Sequence, residues 1–417
     1  MVEIVWDAKQ REAIEACCDI KRRVVAVTGK AGTGKTRLLL AVYTALTAAG
    51  YRVVLCSTTG KAAKRIFEAT GIEALTIHRL LEYSHPGEPD PKTGKPRFES
   101  FPKRDRSNPI EYDVVLADEY AMVNHETHRN LFDAIPAGGA IRVFGDINQL
   151  KPVEESKKLQ TEPSPFQILL TKFSGIVLET IHRQDEGSGI ITNADRILRR
   201  RAPTRFPDCD LKITDRPIDT IIEYVLDKLD NNIDFSKPEN QIITQQKNSW
   251  IGTVKLNQQM QNIFRPESDG WVHLPRHDWA KDVNMRVRIG DKVIITKNNY
   301  DLKVYNGETG IVIECSEYGE VVIDLGDREA VIPPILPVIN SYGKTVEIDP
   351  RKDVDLAYAL TTHKVQGSEY NHIIYILNKS TSFMQGRSNF YTGLTRAKKH
   401  AMIITDQFSL AKSVTSE

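Results

Sequence analysis

The chain has 417 residues, of which 40% are hydrophobic and 27% charged, and a formal net charge of +1. That is enough chain for two to four domains with substantial cores. No run of 18 apolar residues occurs, which excludes a spanning helix. A charge of +1 excludes nucleic-acid binding through bulk basicity, so any such binding must come from a local groove. Residues Met1 to Asp7 lack the basic and apolar regions of a secretion signal. The five cysteines, Cys17, Cys18, Cys56, Cys209 and Cys315, form no CxxC pair and have no histidine at zinc spacing. They are expected to be reduced thiols of a cytoplasmic protein without structural zinc.

In chain order, Val24–Val27, Val53–Cys56, Val114–Ala117 and Ile141–Phe144 read as buried strands. Three of the four are continuously apolar, as in a parallel sheet covered on both faces. Helical stretches such as Arg37 to Ala49 lie between them, which predicts a doubly wound α/β domain. Tyr83 to Tyr112 breaks the pattern with six prolines and a basic stretch from Lys92 to Arg106. It reads as an excursion from the sheet, turning near Asp90-Pro91-Lys92-Thr93-Gly94. A second alternating pattern is expected to start near Ile176, with strands at Ile242-Ile243, Ile373–Ile376 and Ala401–Ile404. Between Gly290 and Pro337 lie short β-like runs separated by turns such as Asn306-Gly307, predicting a small inserted β-barrel.

Gly29-Lys30-Ala31-Gly32-Thr33-Gly34-Lys35-Thr36 fits GxxxxGK[ST] between a predicted strand and a predicted helix. Such a loop wraps backbone N–H groups round an anion at a helix N-terminus. Lys35 is then placed to reach the β- and γ-phosphates of ATP, and Thr36 to ligate Mg²⁺. The apolar run 114–117 ends in Asp118-Glu119, which places Asp118 near the metal and Glu119 where it can activate water. Other positions are ambiguous from the residues alone. Gln149, within Gly145 to Val153, could sense a γ-phosphate or merely follow a turn. Gln10 could read adenine or complete a capping box with Asp7. Arg183 and Arg396 could serve a transferring phosphoryl group or lie on the surface.

Taken together, the motifs resemble the superfamily 1 helicases, in the 5′-to-3′ branch of RecD-like and phage Dda-like enzymes. The resemblance runs in order over nearly the whole chain. Gln10 matches the adenine-reading glutamine, and Gly29 to Thr36 the first motif. Ser57-Thr58-Thr59-Gly60-Lys61 and Thr76-Ile77-His78 match DNA-contacting motifs, followed by Asp118-Glu119 and Gln149. Glu179 to Gln184 places Arg183 at the nucleotide. Ala357 to Glu369 is highly specific for this branch, and Tyr391 to Lys399 carries the arginine finger, Arg396. The chain departs from the pattern at Tyr120-Ala121, where a small residue and Ser are usual, and at Gly393, where Ala is more frequent.

This resemblance implies an α/β fold of two RecA-like P-loop domains with parallel sheets, a pin-like insertion in the first and a small SH3-like β-barrel inserted in the second. The expected boundaries are 1–175 with the pin at about 83–112, then 176–265 and 345–417 with the barrel at 266–344. The implied activity is an ATP-dependent DNA helicase that moves 5′ to 3′ on single-stranded DNA and unwinds duplex in replication, repair or recombination. ATP would lie between the two domains, held by Gln10, Gly29, Ala31, Gly32, Thr33, Gly34, Lys35, Thr36, Arg183, Gly367, Glu369 and Arg396. Thr36 and Asp118 would hold Mg²⁺, and Lys35, Asp118, Glu119, Gln149, Arg183 and Arg396 would serve catalysis. Ser57, Thr58, Thr59, Lys61, Thr76, His78, Thr362, His363 and Lys364 would contact DNA, hydroxyls included. The implied partners are single-stranded DNA, single/double-strand junctions, and single-strand binding or replication proteins. A monomer without membrane attachment is expected, cytoplasmic or in the host cytoplasm if phage-encoded, with no room for a large accessory nuclease domain. The competing reading is a P-loop ATPase acting on RNA or protein without strand separation.

Overall fold

The structure is a computed structural model that describes residues 5–84, 101–154, 156–181, 187–266, 270–275, 286–299, 301–339 and 344–416. The chain divides after Glu186 into two compact units.

The first unit is built on β1 (Val24–Gly29), β2 (Val53–Ser57), β3 (Ala74–Thr76), β4 (Val114–Ala117), β5 (Ala140–Gly145) and β6 (Ile176–Leu178). All pair in parallel, in the order β3-β2-β4-β5-β1-β6. Helices α1 (Ala8–Cys18), α2 (Lys35–Ala48), α3 (Gly60–Thr70) and α4 (Ile77–Leu80) belong to this unit. One apolar core joins Val25, Val27 and Phe144 to Leu38 and Val42 of α2. A second joins Ala26, Val115 and Val143 to Leu131, Phe166 and Leu169. The sheet is therefore covered on both faces, which is why its strands read as apolar runs.

Arg142 is the exception inside β5, and its side chain is fully buried. Its guanidinium donates to Cys17 O (2.6 Å), Arg22 O (2.7 Å) and Asp19 O (3.1 Å). It thus satisfies carbonyls left open where α1 ends, a group that hydrophobic packing could not supply.

The second pattern does not begin at Ile176. β6 pairs with β1, Val27 opposite Ile176 and Gly29 opposite Leu178, so it forms the edge of the first sheet. Its alternation of buried Ile176, exposed Val177 and buried Leu178 is that of an edge strand with one wet face. The predicted excursion has residues 85–100 outside the described residues. Its two described flanks meet: Ser84 N donates to Phe101 O at 2.9 Å and Phe101 N to Ser84 Oγ at 3.0 Å.

The strands of the second unit are, in chain order, β7 (Cys209–Ile213), β8 (Asn240–Thr244), β9 (Trp271–His273), β10 (Arg286–Arg288), β11 (Lys292–Ile295), β12 (Thr309–Cys315), β13 (Val321–Asp324), β14 (Glu329–Ile332), β15 (Leu336–Ile339), β16 (Thr345–Ile348), β17 (Val354–Leu356), β18 (Ala359–Thr361), β19 (Tyr370–Leu377) and β20 (Ala397–Thr405). A parallel sheet runs β18-β8-β19-β20-β7, and an antiparallel one runs β14-β13-β12-β11-β17. The antiparallel sheet is the predicted barrel-like insertion. Val293, Val312 and Ile323 from it share one core with Ile242, Ile374 and Ile404 of the parallel sheet. Among the described residues no helix is long and apolar enough to cross a membrane.

Candidate nucleotide site and strand-contact segments

In an open parallel sheet, ligands sit beyond the carboxyl ends of the strands. At that edge of the first sheet stand the P-loop after β1, Asp118-Glu119 after β4, Asp146 to Gln149 after β5, Thr58-Thr59 after β2, and Ile77-His78 after β3.

The P-loop turns through left-handed Gly32 (φ 85°) and Gly34 (φ 81°). Gly34 caps α2 without any side-chain hydrogen bond, so no side chain closes the helix start against an anion. A side chain at Gly34 would also meet Gln10, its Cβ lying 2.9 Å from Gln10 Nε2. Lys35 Nζ folds back on the loop, 2.5 Å from Gly29 O and 3.0 Å from Lys30 O. Thr33 is buried and its hydroxyl donates to Lys30 O at 2.9 Å. Gln10 takes the capping role and also touches the P-loop. It completes a capping box with Asp7, and its Nε2 donates to Thr33 O at 3.1 Å, reaching the P-loop itself.

Asp118 and Glu119 are both buried. Burial, then the charge of Glu119, pushes the Asp118 carboxyl up to about 6, while the Glu119 backbone N–H and the positive Lys35 and Arg65 pull it back. Glu119 holds a left-handed backbone (φ 52°), an uncommon conformation for a side chain of its size. Its Oε1 lies 3.8 Å from Arg65 Nη1, and its Oε2 is buried without a hydrogen-bond partner among the described residues. Gln149 is also buried, its Oε1 unpartnered among the described residues.

This donor set suits Mg²⁺. Two adjacent buried carboxylates and the Thr36 hydroxyl are hard oxygen donors, and a cation would relieve the repulsion that raises Asp118. Metal binding requires Asp118 to be ionised, so apparent Mg²⁺ affinity should weaken as pH falls through about 6 and level off above it. Mg²⁺ titrations of ATP turnover on both sides of that pH check this; identical midpoints would contradict it.

The turn that carries Glu119 is anchored by Tyr120, at the family departure. Tyr120 is fully buried, its hydroxyl 2.9 Å from His128 Nδ1 and its ring against Phe166. Burial, with the nearby His125, lowers His128 to about 4, so it stays neutral at neutral pH.

Two of the expected phosphate contacts are enclosed in this structure. Ser57 and Thr362 have no exposed surface, so neither hydroxyl faces solvent. Both lie at strand ends within a covered sheet, and Ser57 Oγ instead donates to Asp118 O at 3.2 Å. Thr58 and Thr59 are half-buried; Thr59 caps α3 and Thr76 caps α4 through their hydroxyls. His78 is lowered by burial and packs on Tyr83, ring centroids 4.5 Å apart.

In the second unit, His363 and Lys364 follow β18 and are both lowered by burial. Lys364 Nζ donates to Asn306 Oδ1 at 2.9 Å, so the Asn306-Gly307 turn of the inserted sheet touches this motif. Gly367 turns in the left-handed region (φ 72°), and Glu369 pairs with Lys398 at 3.3 Å. Arg396 is buried, and its guanidinium donates to Thr392 O (2.9 Å) and Ser368 O (3.2 Å) of its own unit. Arg183 lies outside the described residues.

The second departure, Gly393, has a steric cause: a Cβ there would overlap the ring of Tyr375. That ring is buried, stacked on Phe390 at 5.3 Å and bonded to Asn389. Gly393→Ala should therefore destabilise the protein by about 1–3 kcal/mol. Thermal unfolding checks this, and an unchanged Tm would contradict it.

Sequence reasoning missed Arg65, and read Tyr120 only as a departure from the family pattern and Asn306 only as a turn residue. Arg65 follows the motif residues Ser57 to Lys61 on α3 and adjoins buried Ile66, a placement that helical spacing could have flagged.

Comparison with known proteins gives the same order of parts. Residues 5–206 match the AAA domain family, 256–324 the ATP-dependent RecD-like DNA helicase SH3 domain, and 356–404 the UvrD-like helicase C-terminal domain. An ATP-dependent RecD2 DNA helicase of Deinococcus radiodurans is 30% identical over 379 residues, covering 90% of this chain and 46% of that protein. The chain thus spans about half the length of that relative. The RecBCD enzyme subunit RecD of Mycobacterium tuberculosis is 25% identical over 455 residues, covering 97% of this chain and 70% of the relative. In fold, the chain is similar to Bacteroides Pif1 bound to ssDNA, with a TM-score of 0.61 at 19% identity over 100% of this chain and 95% of that one. With an AAA domain family and two helicase families matched in sequence order and these relatives along nearly its whole length, the chain is similar to the RecD-like helicases of superfamily 1.

Proposed function

We propose that this chain is an ATP-dependent DNA helicase that moves 5′ to 3′ on single-stranded DNA and unwinds duplex. One observation carries this reading. The P-loop, the acidic pair and the Thr58-Thr59 and Ile77-His78 segments share the carboxyl edge of one parallel sheet. The acidic pair is also bonded to the end of β2, just before Thr58-Thr59, since Asp118 N donates to Cys56 O at 2.9 Å and Ser57 Oγ donates to Asp118 O. A shift at either segment is thereby transmitted to the other.

In this reading the α2 N-terminus and Lys35 bind the phosphates, Lys35 exchanging its loop carbonyls for phosphate oxygens. Thr36 and Asp118 hold Mg²⁺, which when bound offsets phosphate charge. Glu119 orients the attacking water and accepts its proton. Gln149 reports on the γ-phosphate. The role that the family pattern gives Arg183 and Arg396 is charge stabilisation on the transferring phosphoryl group. For Arg396 this requires its guanidinium to leave Thr392 O and Ser368 O. Thr58, Thr59, Lys61, Thr76, His78, His363 and Lys364 hold the strand, with neutral histidines offering stacking and hydrogen bonding rather than charge. The insertion at 83–112 is the strand-separating element.

The test is ATP turnover titrated with single-stranded DNA, single-stranded RNA and blunt duplex. Stimulation of at least about ten-fold by single-stranded DNA is expected, because the strand completes the active arrangement. Stimulation by RNA alone, or by no nucleic acid, would replace this reading with the competing ATPase one.

A further inference from the structure

We infer that Arg65 restrains the catalytic carboxylate Glu119 and that strand binding at α3 lifts the restraint, which makes Arg65 the element linking DNA occupancy to hydrolysis. The inference rests on the helicase reading, in which Glu119 orients water and the segment opening α3 meets the strand.

The geometry is local to the first unit. Glu119 sits on a turn whose backbone is left-handed, so its carboxylate direction is set by what holds it and not by a preferred backbone state. Arg65 Nη1 lies 3.8 Å from Glu119 Oε1, close enough to attract but too long for a hydrogen bond. The other oxygen, Oε2, is buried and lacks a hydrogen-bond partner among the described residues. A buried carboxylate oxygen without a partner is unfavourable, so this arrangement does not satisfy the group; it holds it aside.

Arg65 is placed to respond to the strand. It lies on α3, whose first turn contains Lys61 and whose cap is Thr59, both in the segment assigned to the strand. The same segment touches the catalytic turn at two further points. Ser57 Oγ donates to Asp118 O, and Thr58 Oγ1 lies 3.6 Å from Met122 Sδ, just past Glu119. Arg65 on α3 and Ser57 and Thr58 just ahead of it therefore all meet the Asp118 to Met122 turn; among these contacts the Arg65 pair is the longest and the one that reaches the carboxylate. A phosphate drawn to the start of α3 shifts the helix by tenths of an ångström, and the long contact parts first. Glu119 is then free to turn toward the attacking water. Arg65 acts through Glu119 and so is a positioning residue.

The test compares Arg65→Gln and Arg65→Lys with the parent, measuring kcat and KM for ATP without DNA and with saturating oligothymidylate. Arg65→Gln is expected to raise DNA-free kcat by about five-fold or more, with KM for ATP unchanged. The ratio of DNA-saturated to DNA-free kcat then falls toward unity. Arg65→Lys keeps the cation and should stay within about two-fold of the parent in both states. A DNA-free kcat in Arg65→Gln that is unchanged or lower overturns the inference. A loss shared equally by both states also overturns it, since that marks a merely structural residue. If the parent itself shows no DNA stimulation, the helicase reading fails, while a raised DNA-free kcat in Arg65→Gln would still establish the restraint.

Discussion

Lys35→Ala is expected to lower ATP turnover by about 10³-fold or more, with or without DNA. Lys35 is the cation of the P-loop, and its ammonium lies 2.5 Å from Gly29 O and 3.0 Å from Lys30 O. Those two carbonyls are the same loop that must face the phosphates, so the side chain is already at the site of developing charge. Alanine removes the charge that stabilises the transferring group, and no other described lysine or arginine belongs to the loop apart from Lys30. The substitution also removes two hydrogen bonds to the loop. A thermal-unfolding control therefore accompanies the steady-state assay, and a Tm within a few degrees of the parent assigns the loss to chemistry. Turnover within about ten-fold of the parent would contradict the assignment of this loop as the ATP site.

Glu119→Gln should separate binding from chemistry. Glutamine matches the shape of glutamate but cannot accept a proton from water. A fall in kcat of about 10²–10⁴-fold is expected, with ATP affinity nearly unchanged. The same change on Asp118 should act differently, because Asp118 is the carboxylate proposed to hold Mg²⁺. Asp118→Asn should raise the Mg²⁺ requirement as well as lowering kcat. Fluorescent-nucleotide binding and single-turnover hydrolysis distinguish the two variants. A Glu119→Gln enzyme that turns over like the parent would remove Glu119 from the mechanism.

Much of this site was legible in the sequence, because the P-loop is a backbone structure. Gly32 and Gly34 occupy left-handed conformations that few other residues tolerate, so the spacing of residue types carries the geometry directly. The strands of both parallel sheets were legible for a related reason. Burial on two faces leaves little but Val, Ile, Leu and Ala to build them from. β6 and β7 were not. Cys209-Asp210-Leu211-Lys212-Ile213 is charged at alternate positions because β7, among the described residues, pairs only with β20 at the sheet edge. Ile176 to Leu178 is three residues long and half wet. Side-chain direction was also hidden. Motif position placed Ser57 and Thr362 near a strand, but only the packing of their sheets turns both hydroxyls inward. Arg396 is likewise identified by its motif, while its hydrogen bonds to Thr392 and Ser368 follow from the local fold of Tyr391 to Arg396. Gly393 and Tyr120 looked like irregularities in a family pattern. Each turns out to be matched to a buried aromatic partner, Tyr375 for the first and Phe166 for the second.

Directional unwinding tests the central claim most directly. Short duplexes carrying a single-stranded tail at either the 5′ or the 3′ end are mixed with enzyme and ATP, and strand separation is followed by loss of energy transfer between end labels. The proposed function predicts separation of the 5′-tailed duplex, dependent on ATP and on Lys35, with little separation of the 3′-tailed one. Separation confined to the 3′-tailed duplex, or none with either while DNA still stimulates ATP turnover, would contradict it.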